Sequence, residues 1–281
     1  MKLNLKPELT QHLQQIIRER DPYLASEGHF YVREYIRQQL QQWGNVITDE
    51  FKQRGNTHQN LILNLPALSK SKNSIILIGA HYDTVPGCPG ADDNGTGVAV
   101  LLELAASIAQ HPLKYPVQCV AFDLEEYGFL GSQHYAQSLK QQNQSIRLML
   151  SLEMLGYCNP NPNSQLYPPG LKYFYPNCGD YIALIGNLKT IPDLIRITRA
   201  IRQTKTPCQW LPVPNRGMMV PDTRRSDQVP FWDLGYAAIM VTDTANLRNP
   251  HYHQPTDTLE TLDLDFLAGV CQGLLAGLRR L

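Results

Sequence analysis

Ser74-Ile75-Ile76-Leu77-Ile78-Gly79-Ala80, running directly into His81-Tyr82-Asp83, decides how this chain of 281 residues folds. A short, Ile-rich run with no polar alternation reads as a β-strand buried on both faces. Such a strand belongs to a sheet with helices packed against either side, because the crossover connections of parallel strands place helices there. Residues 117–123 and 148–155 are further runs of the same kind, and residues 95–110 and 128–142 between them carry helical periods. The alternation predicts the α/β class: a three-layer α/β/α sandwich around a central mixed, mostly parallel twisted sheet, in a single domain.

The flanking segments extend this pattern. Residues 26–43 read as an amphipathic helix with Phe30, Tyr31, Tyr35, Ile36 and Leu40 on one side and Gly44 as its stop. Residues 46–51 and 60–65 form a strand pair, with Arg54, Gly55 and Asn56 supplying the turn. Later come a strand at 181–185, a helix at 191–203, a short helix at 226–235, a strand at 237–242 and a closing helix at 264–280. Residues 156–180, dense in Pro, Asn and Tyr, interrupt the rhythm as a loop insertion of the sort that shapes binding sites. Residues 1–20 are polar and helical in character. No linker divides residues 1–281, so one domain is expected throughout.

Composition narrows the partners. Lys+Arg and Asp+Glu are both 25, a net charge of zero, so no overall field favours nucleic acid or an anionic membrane. The most apolar helical stretch, residues 98–109, contains Glu103 and is too short to span a bilayer. The amino terminus shows no charged start followed by an apolar core and a small-residue cleavage site, as a signal peptide would, which predicts a soluble, cytoplasmic protein. None of the six cysteines forms a CxxC pair, and free thiols are expected in a reducing compartment. Cys158 and Cys178, which bracket the insertion, would be bridged only in an exported protein.

The residues with chemistry cluster at strand ends, where open α/β sheets form their ligand sites. His81 can offer one ring nitrogen to a metal while Asp83 accepts a hydrogen bond from the other. Gly90-Ala91-Asp92-Asp93-Asn94-Gly95 is an acidic loop leading into a helix: one carboxylate can bridge two cations, and Asn94 or a neighbour can cap the helix. Of Glu125 and Glu126, one can hold a metal and the other can act as general base. Glu153 ends an apolar run in which an unpaired carboxylate would be costly, and a cation is its simplest partner. His253 lies in Tyr252-His253-Gln254-Pro255-Thr256-Asp257, with His251 as a rival ligand and Asp257 as a candidate cap for the closing helix. Singly, each residue is ordinary. Together, nitrogen and oxygen donors without thiolates suit a pair of Zn²⁺ ions, with Co²⁺ or Mn²⁺ able to occupy the same shell.

Five ordered stretches, HYDT at His81, GADDNGTG at Gly90, FDLEEYGFLGS at Phe122, LEMLGY at Leu152 and YHQPTDT at Tyr252, resemble the M28 family of zinc peptidases, to which glutaminyl cyclases are related. The resemblance implies that Asp93 bridges two zinc ions, that Glu126 and His253 complete one site, and that His81 and Glu153 complete the other. Glu125 becomes the general base, Asp83 orients His81, and Asp227 braces the site from behind. The implied activity is an exopeptidase, most simply an aminopeptidase, acting on peptides or amino-acid derivatives; carboxypeptidase and glutaminyl cyclase chemistry are the alternatives. Three departures stand out: Glu153 replaces the Asp common in relatives, Gln228 replaces the His after Ser226-Asp227, and no tyrosine occupies the stretch before it. Arg224 and Arg225 lie there instead, and an arginine fork suits a substrate carboxylate.

Overall fold

The computed structural model describes residues 5–68 and 74–281. Of the helix expected over residues 1–20, residues 1–4 fall outside that range, and the described part is α1, Lys6–Ile16, which buries Leu9, Leu13 and Ile16. An irregular segment leads to α2, Ser26–Gln41, whose buried face is His29, Val32, Ile36 and Leu40. This corrects the expected face. Stepping back from Leu40 and Ile36 by helical turns passes through Val32 and His29, leaving Phe30 and Tyr31 exposed. There they carry the guanidinium groups of Arg33 and Arg18 over their rings. Gly44 does not supply a left-handed stop either: the helix has ended at Gln41, and a Cβ at Gly44 would come within 3.1 Å of Leu63.

β1 (Val46–Gln53) and β2 (Asn56–Leu65) pair antiparallel through a two-residue turn in which Arg54 and Gly55 both have positive φ, 48° and 82°. That geometry matches the strand twist, which is why both strands run further into the turn than their hydrophobic runs alone suggested. In chain order there follow β3 (Ile75–His81), α3 (Gly97–Gln110), β4 (Val117–Phe122), α4 (Leu130–Gln141), β5 (Ile146–Glu153), β6 (Ile182–Asn187) and α5 (Ile191–Gln203). The chain closes with β7 (Cys208–Val213), α6 (Gln228–Asp233), β8 (Ala238–Thr242) and α7 (Leu264–Leu278).

Among the described residues, eight strands form one sheet in the order β1-β2-β4-β3-β5-β8-β6-β7. The central strands β4, β3, β5 and β8 are mutually parallel. Antiparallel pairing at β2/β4 and β8/β6 turns the edges around. Successive side chains on β3 enter opposite cores: Ile76 and Ile78 pack in the layer holding α1, α2, α3, α5 and α7, and Leu77 packs with α4 and α6. The three-layer mixed α/β sandwich is therefore the observed architecture. Gly79 lets the α4 side close up, because a Cβ there would meet the Phe122 ring at 2.3 Å.

Strand β7 has no counterpart in the sequence reading. It is an edge strand, half-exposed along its middle and interrupted by Pro212, and an edge is where a sheet tolerates a residue without an N–H. The insertion at 156–180 is drawn together by a bridge between Asn159 and Gly179 and is tied to β7 by Tyr175 Oη donating to the Trp210 carbonyl at 2.9 Å. Cys158 and Cys178 are free, as are the other four cysteines. Among the described residues no helix is long and apolar enough to cross a membrane.

Candidate active site

The parallel strands deliver their carboxyl ends to one edge of the sheet, so His81 at the end of β3, Glu125 and Glu126 just past β4 and Glu153 at the end of β5 become neighbours. Two loops complete the group. The tight turn Ala91–Thr96 ahead of α3 brings Asp93, and the segment before α7 brings His253. The Asp93–Asn94 peptide is cis. Leu124, Met154 and His253 adopt positive φ (57°, 49° and 57°) without being glycine, and each such residue costs of order 1–3 kcal/mol. All three lie at or beside a site carboxylate or imidazole, where the surrounding packing aims the side chain.

His81 Nε2 is surrounded by Asp93 Oδ1 at 3.3 Å, Glu153 Oε2 at 3.5 Å and Glu125 Oε2 at 3.9 Å. His253 Nε2 lies 3.2 Å from both Asp93 Oδ2 and Glu126 Oε2. Each oxygen of Asp93 thus faces a different histidine. His81 is buried, and neither ring nitrogen has hydrogen-bond geometry to a partner among the described residues. Two ligands sharing a tetrahedral Zn²⁺ at bonds of about 2.1 Å stand roughly 3.4 Å apart, the spacing around both imidazoles. The residues that could hold a metal therefore fall into two sets, His81 with Glu125 and Glu153, and Asp93 with Glu126 and His253. Asp93 also reaches the first set through Oδ1, more closely than Glu125 does.

Charge in this space is unbalanced by protein groups alone. Burial lifts the Glu125 carboxyl well above its usual range and pushes Glu126 up to about 7. Burial also raises Glu153, although His81 opposes the shift. For His81, burial works against the charged form, but Glu125, Glu153 and the aspartates outweigh it and carry the imidazole well above its ordinary value. Divalent cations among these carboxylates would offset the desolvation that raises them. The donor set, the spacing and the unsatisfied imidazole all fit such ions.

The surrounding residues hold this arrangement. Asp83 Oδ1 stands 3.5 Å from His81 Nδ1, but its stronger contacts are hydrogen bonds accepted from the backbone N–H groups of Glu125 (3.0 Å) and Glu126 (3.1 Å). It therefore ties the β3 and β4 ends together. Asp257 accepts from the N–H groups of Asp92 and Asp93, while the cap of α7 is Asp263; this replaces the expectation that Asp257 caps the closing helix. Asn94 Oδ1 accepts from Gly97 N–H at the start of α3, as a capping residue would. Asp92 is engaged by Gly156 N–H, Asn249 and Thr96. Ser226 Oγ donates to Glu153 Oε2 at 2.5 Å, fixing the longer glutamate arm. Asp227 is fully buried, which pushes its carboxyl up to about 7. His251 pairs instead with Thr256 and stands outside both donor sets.

The two arginines part company. Arg224 is taken up by a two-point contact with Asp233 and by the Arg216 carbonyl, away from the site. Arg225 reaches Tyr252 Oη at 3.0 Å, and Tyr252 stacks on His253. Arg225 lines a cavity that opens beside Glu153 and is walled by Tyr167, Tyr175, Tyr181, Trp210 and Met240. The insertion, expected to shape a binding site, supplies Tyr167 and Tyr175, and β7 supplies Trp210; no local signal in the sequence marks these aromatic residues individually as neighbours of Glu153.

The chain is similar to known proteins in sequence and in fold. Residues 60–276 match the sequence model of Peptidase family M28. An uncharacterized protein of Escherichia coli, YfbL, is 36% identical over 257 residues, covering 86% of this chain and 77% of its own. Aminopeptidase YwaD of Bacillus subtilis is 38% identical over 105 residues, 36% of this chain and 22% of its own length, so most of that relative lies beyond the match. Among solved structures, a zinc aminopeptidase from Bacillus subtilis superposes with a TM-score of 0.60 at 26% identity, over 81% of this chain and 51% of that one. A glutaminyl cyclase from Macrostomum lignano, at 17% identity and TM-score 0.73 over 97% of this chain and 88% of its own, shares the fold. With the family match spanning most of its length and all five motifs converging at one sheet edge, the chain belongs to peptidase family M28.

Proposed function

We propose that this protein is a metal-dependent aminopeptidase that holds two zinc ions, with His81 and Glu153 on one, Glu126 and His253 on the other, and Asp93 shared. The observation that carries the reading is the placement of the two Asp93 oxygens, 3.3 Å from His81 Nε2 and 3.2 Å from His253 Nε2. When bound, such a pair supplies Lewis-acid polarisation of the scissile carbonyl and a water acidic enough to attack near neutral pH. Glu125 accepts the proton of the attacking water and returns it to the departing amine. Asp83 holds the backbone of Glu125 in place for both transfers. Glu153, at the mouth of the aromatic cavity, faces the position of a free α-amine, and the cavity takes the side chain of that residue.

Metal analysis with kinetics tests the reading. Purified protein is expected to carry about two equivalents of zinc, as a two-metal site requires, and a chelator is expected to abolish hydrolysis of leucyl anilide, with recovery on adding Zn²⁺. Undiminished turnover in chelator overturns it. Short peptides with free and blocked ends, run beside the anilide, separate an aminopeptidase from an enzyme that uses Arg225 to grip a terminal carboxylate.

The cavity makes a separate prediction. Ala183 on β6 is one of its lining residues, and Ala183→Phe fills it. The substitution is expected to lower kcat/KM for leucyl and phenylalanyl substrates by on the order of 10-fold or more, the scale on which apolar pockets discriminate by size. Glycyl substrates should change little; an equal loss for all three would remove the cavity from the specificity site.

A further inference from the structure

Glu19, Arg20 and Asp21 lie between α1 and α2, outside the residues 60–276 that match the family, yet all three side chains reach the loops of the site. Arg20 is wholly buried. Its Nε donates to the Tyr82 carbonyl at 2.8 Å, Nη1 to Pro89 at 2.7 Å, and Nη2 to Gly90 at 2.9 Å and, more weakly, to Asp93 at 3.4 Å. These four carbonyls belong to one segment, residues 82–93, which joins His81 to Asp93. Glu19 Oε1 accepts from Gly87 N–H at 2.7 Å in the same segment. Asp21 turns the other way: its Oδ2 accepts from Tyr127 Oη at 2.5 Å, immediately after Glu126.

The close approach is built into two glycines. A Cβ at Gly28 would stand 2.0 Å from the Glu19 carbonyl oxygen, and one at Gly90, whose φ is +64°, would stand 2.8 Å from Arg20 Nη1. Burying a guanidinium against backbone carbonyls is costly compared with an apolar side chain of similar volume. What it provides is a rigid, planar set of donors in fixed directions, able to hold several carbonyls at once. Lysine offers a single ammonium and could not span the same four oxygens.

We propose that Glu19-Arg20-Asp21 is a clamp that keeps the two metal-bearing loops in register, with Arg20 the positioning residue for Asp93; this rests on the metal reading above. The test measures zinc affinity by competition with a chromophoric chelator, without substrate, alongside kcat, KM and melting temperature of the full chain. Arg20→Lys is expected to weaken zinc binding by about 10–100-fold, the range for residues that hold metal ligands in place, and to lower kcat with KM nearly unchanged. Tyr127→Phe, which removes only the Asp21 contact, should shift both in the same direction by less. Should Arg20→Lys not fold, Tyr127→Phe decides by the same readouts. Wild-type zinc affinity and kcat in the folded variant, or a lower melting temperature with zinc affinity unchanged, overturns the clamp alone. A wild-type protein that takes up no zinc overturns the metal reading and the clamp with it.

Discussion

Glu125→Gln is expected to lower kcat by about 10²–10⁴-fold, the usual contribution of a positioned general base, while zinc content stays at the wild-type level. Glu125 is the most distant of the three carboxylates around His81 Nε2, at 3.9 Å against 3.3 and 3.5 Å. It is therefore the one with least claim to be a ligand. Burial raises its carboxyl, and cations held beside it would offset that shift, leaving an anion able to take a proton. Glutamine preserves volume and leaves the backbone contact with Asp83 intact, but it cannot accept the proton. Steady-state kinetics and metal analysis of the same preparation check this. Near-normal turnover refutes the role, and a parallel loss of zinc makes Glu125 a ligand instead.

Asp93→Asn is expected to act on metal rather than on the proton. Burial alone would raise the Asp93 carboxyl, but the contacts with His253 and His81 bring it below the usual carboxylate range, so it is the firmly anionic group between the two imidazoles. Asparagine keeps the shape and the hydrogen bonds that the Asp92–Asp93 backbone makes to Asp257. It removes the charge and one of the two oxygens. Zinc affinity should fall in both sets together, by more than the roughly 10–100-fold seen when only an outer partner of a ligand is lost, and hydrolysis should disappear with it. Calorimetric titration of the metal-free protein separates the outcomes: loss of one equivalent alone would mean that Asp93 is not shared.

These expectations rest on side chains far apart in the chain, and how far each could be read in advance follows from the range of the forces involved. The run from Ser74 to Ala80 announced a doubly covered strand because burial on both faces leaves a local mark, an unbroken apolar stretch. The same logic made the polar residues at strand exits conspicuous, since carboxylates beside apolar runs need partners. Where the outcome depended on a competition between similar residues, local reading did not suffice. Asp257 and Asp263 are both plausible caps, and only packing shows that Asp263 caps α7 while Asp257 holds the acidic loop. Arg224 and Arg225 are adjacent and chemically identical, and the position of Asp233 takes one of them away from the cavity.

The α/β class, the order of the central strands' hydrophobic runs and the donor types waiting at their ends were legible locally, because each is set by composition within a few residues. Tertiary structure decided the exposed side of α2, the edge strand β7 with Pro212, the aromatic cavity and the reach of Arg20 to four carbonyls of the loop ending at Asp93. The physical reason is the same in each case: a side chain's hydrogen bonds and contacts are satisfied by whichever partners the fold brings near, and those partners lie tens to hundreds of residues away.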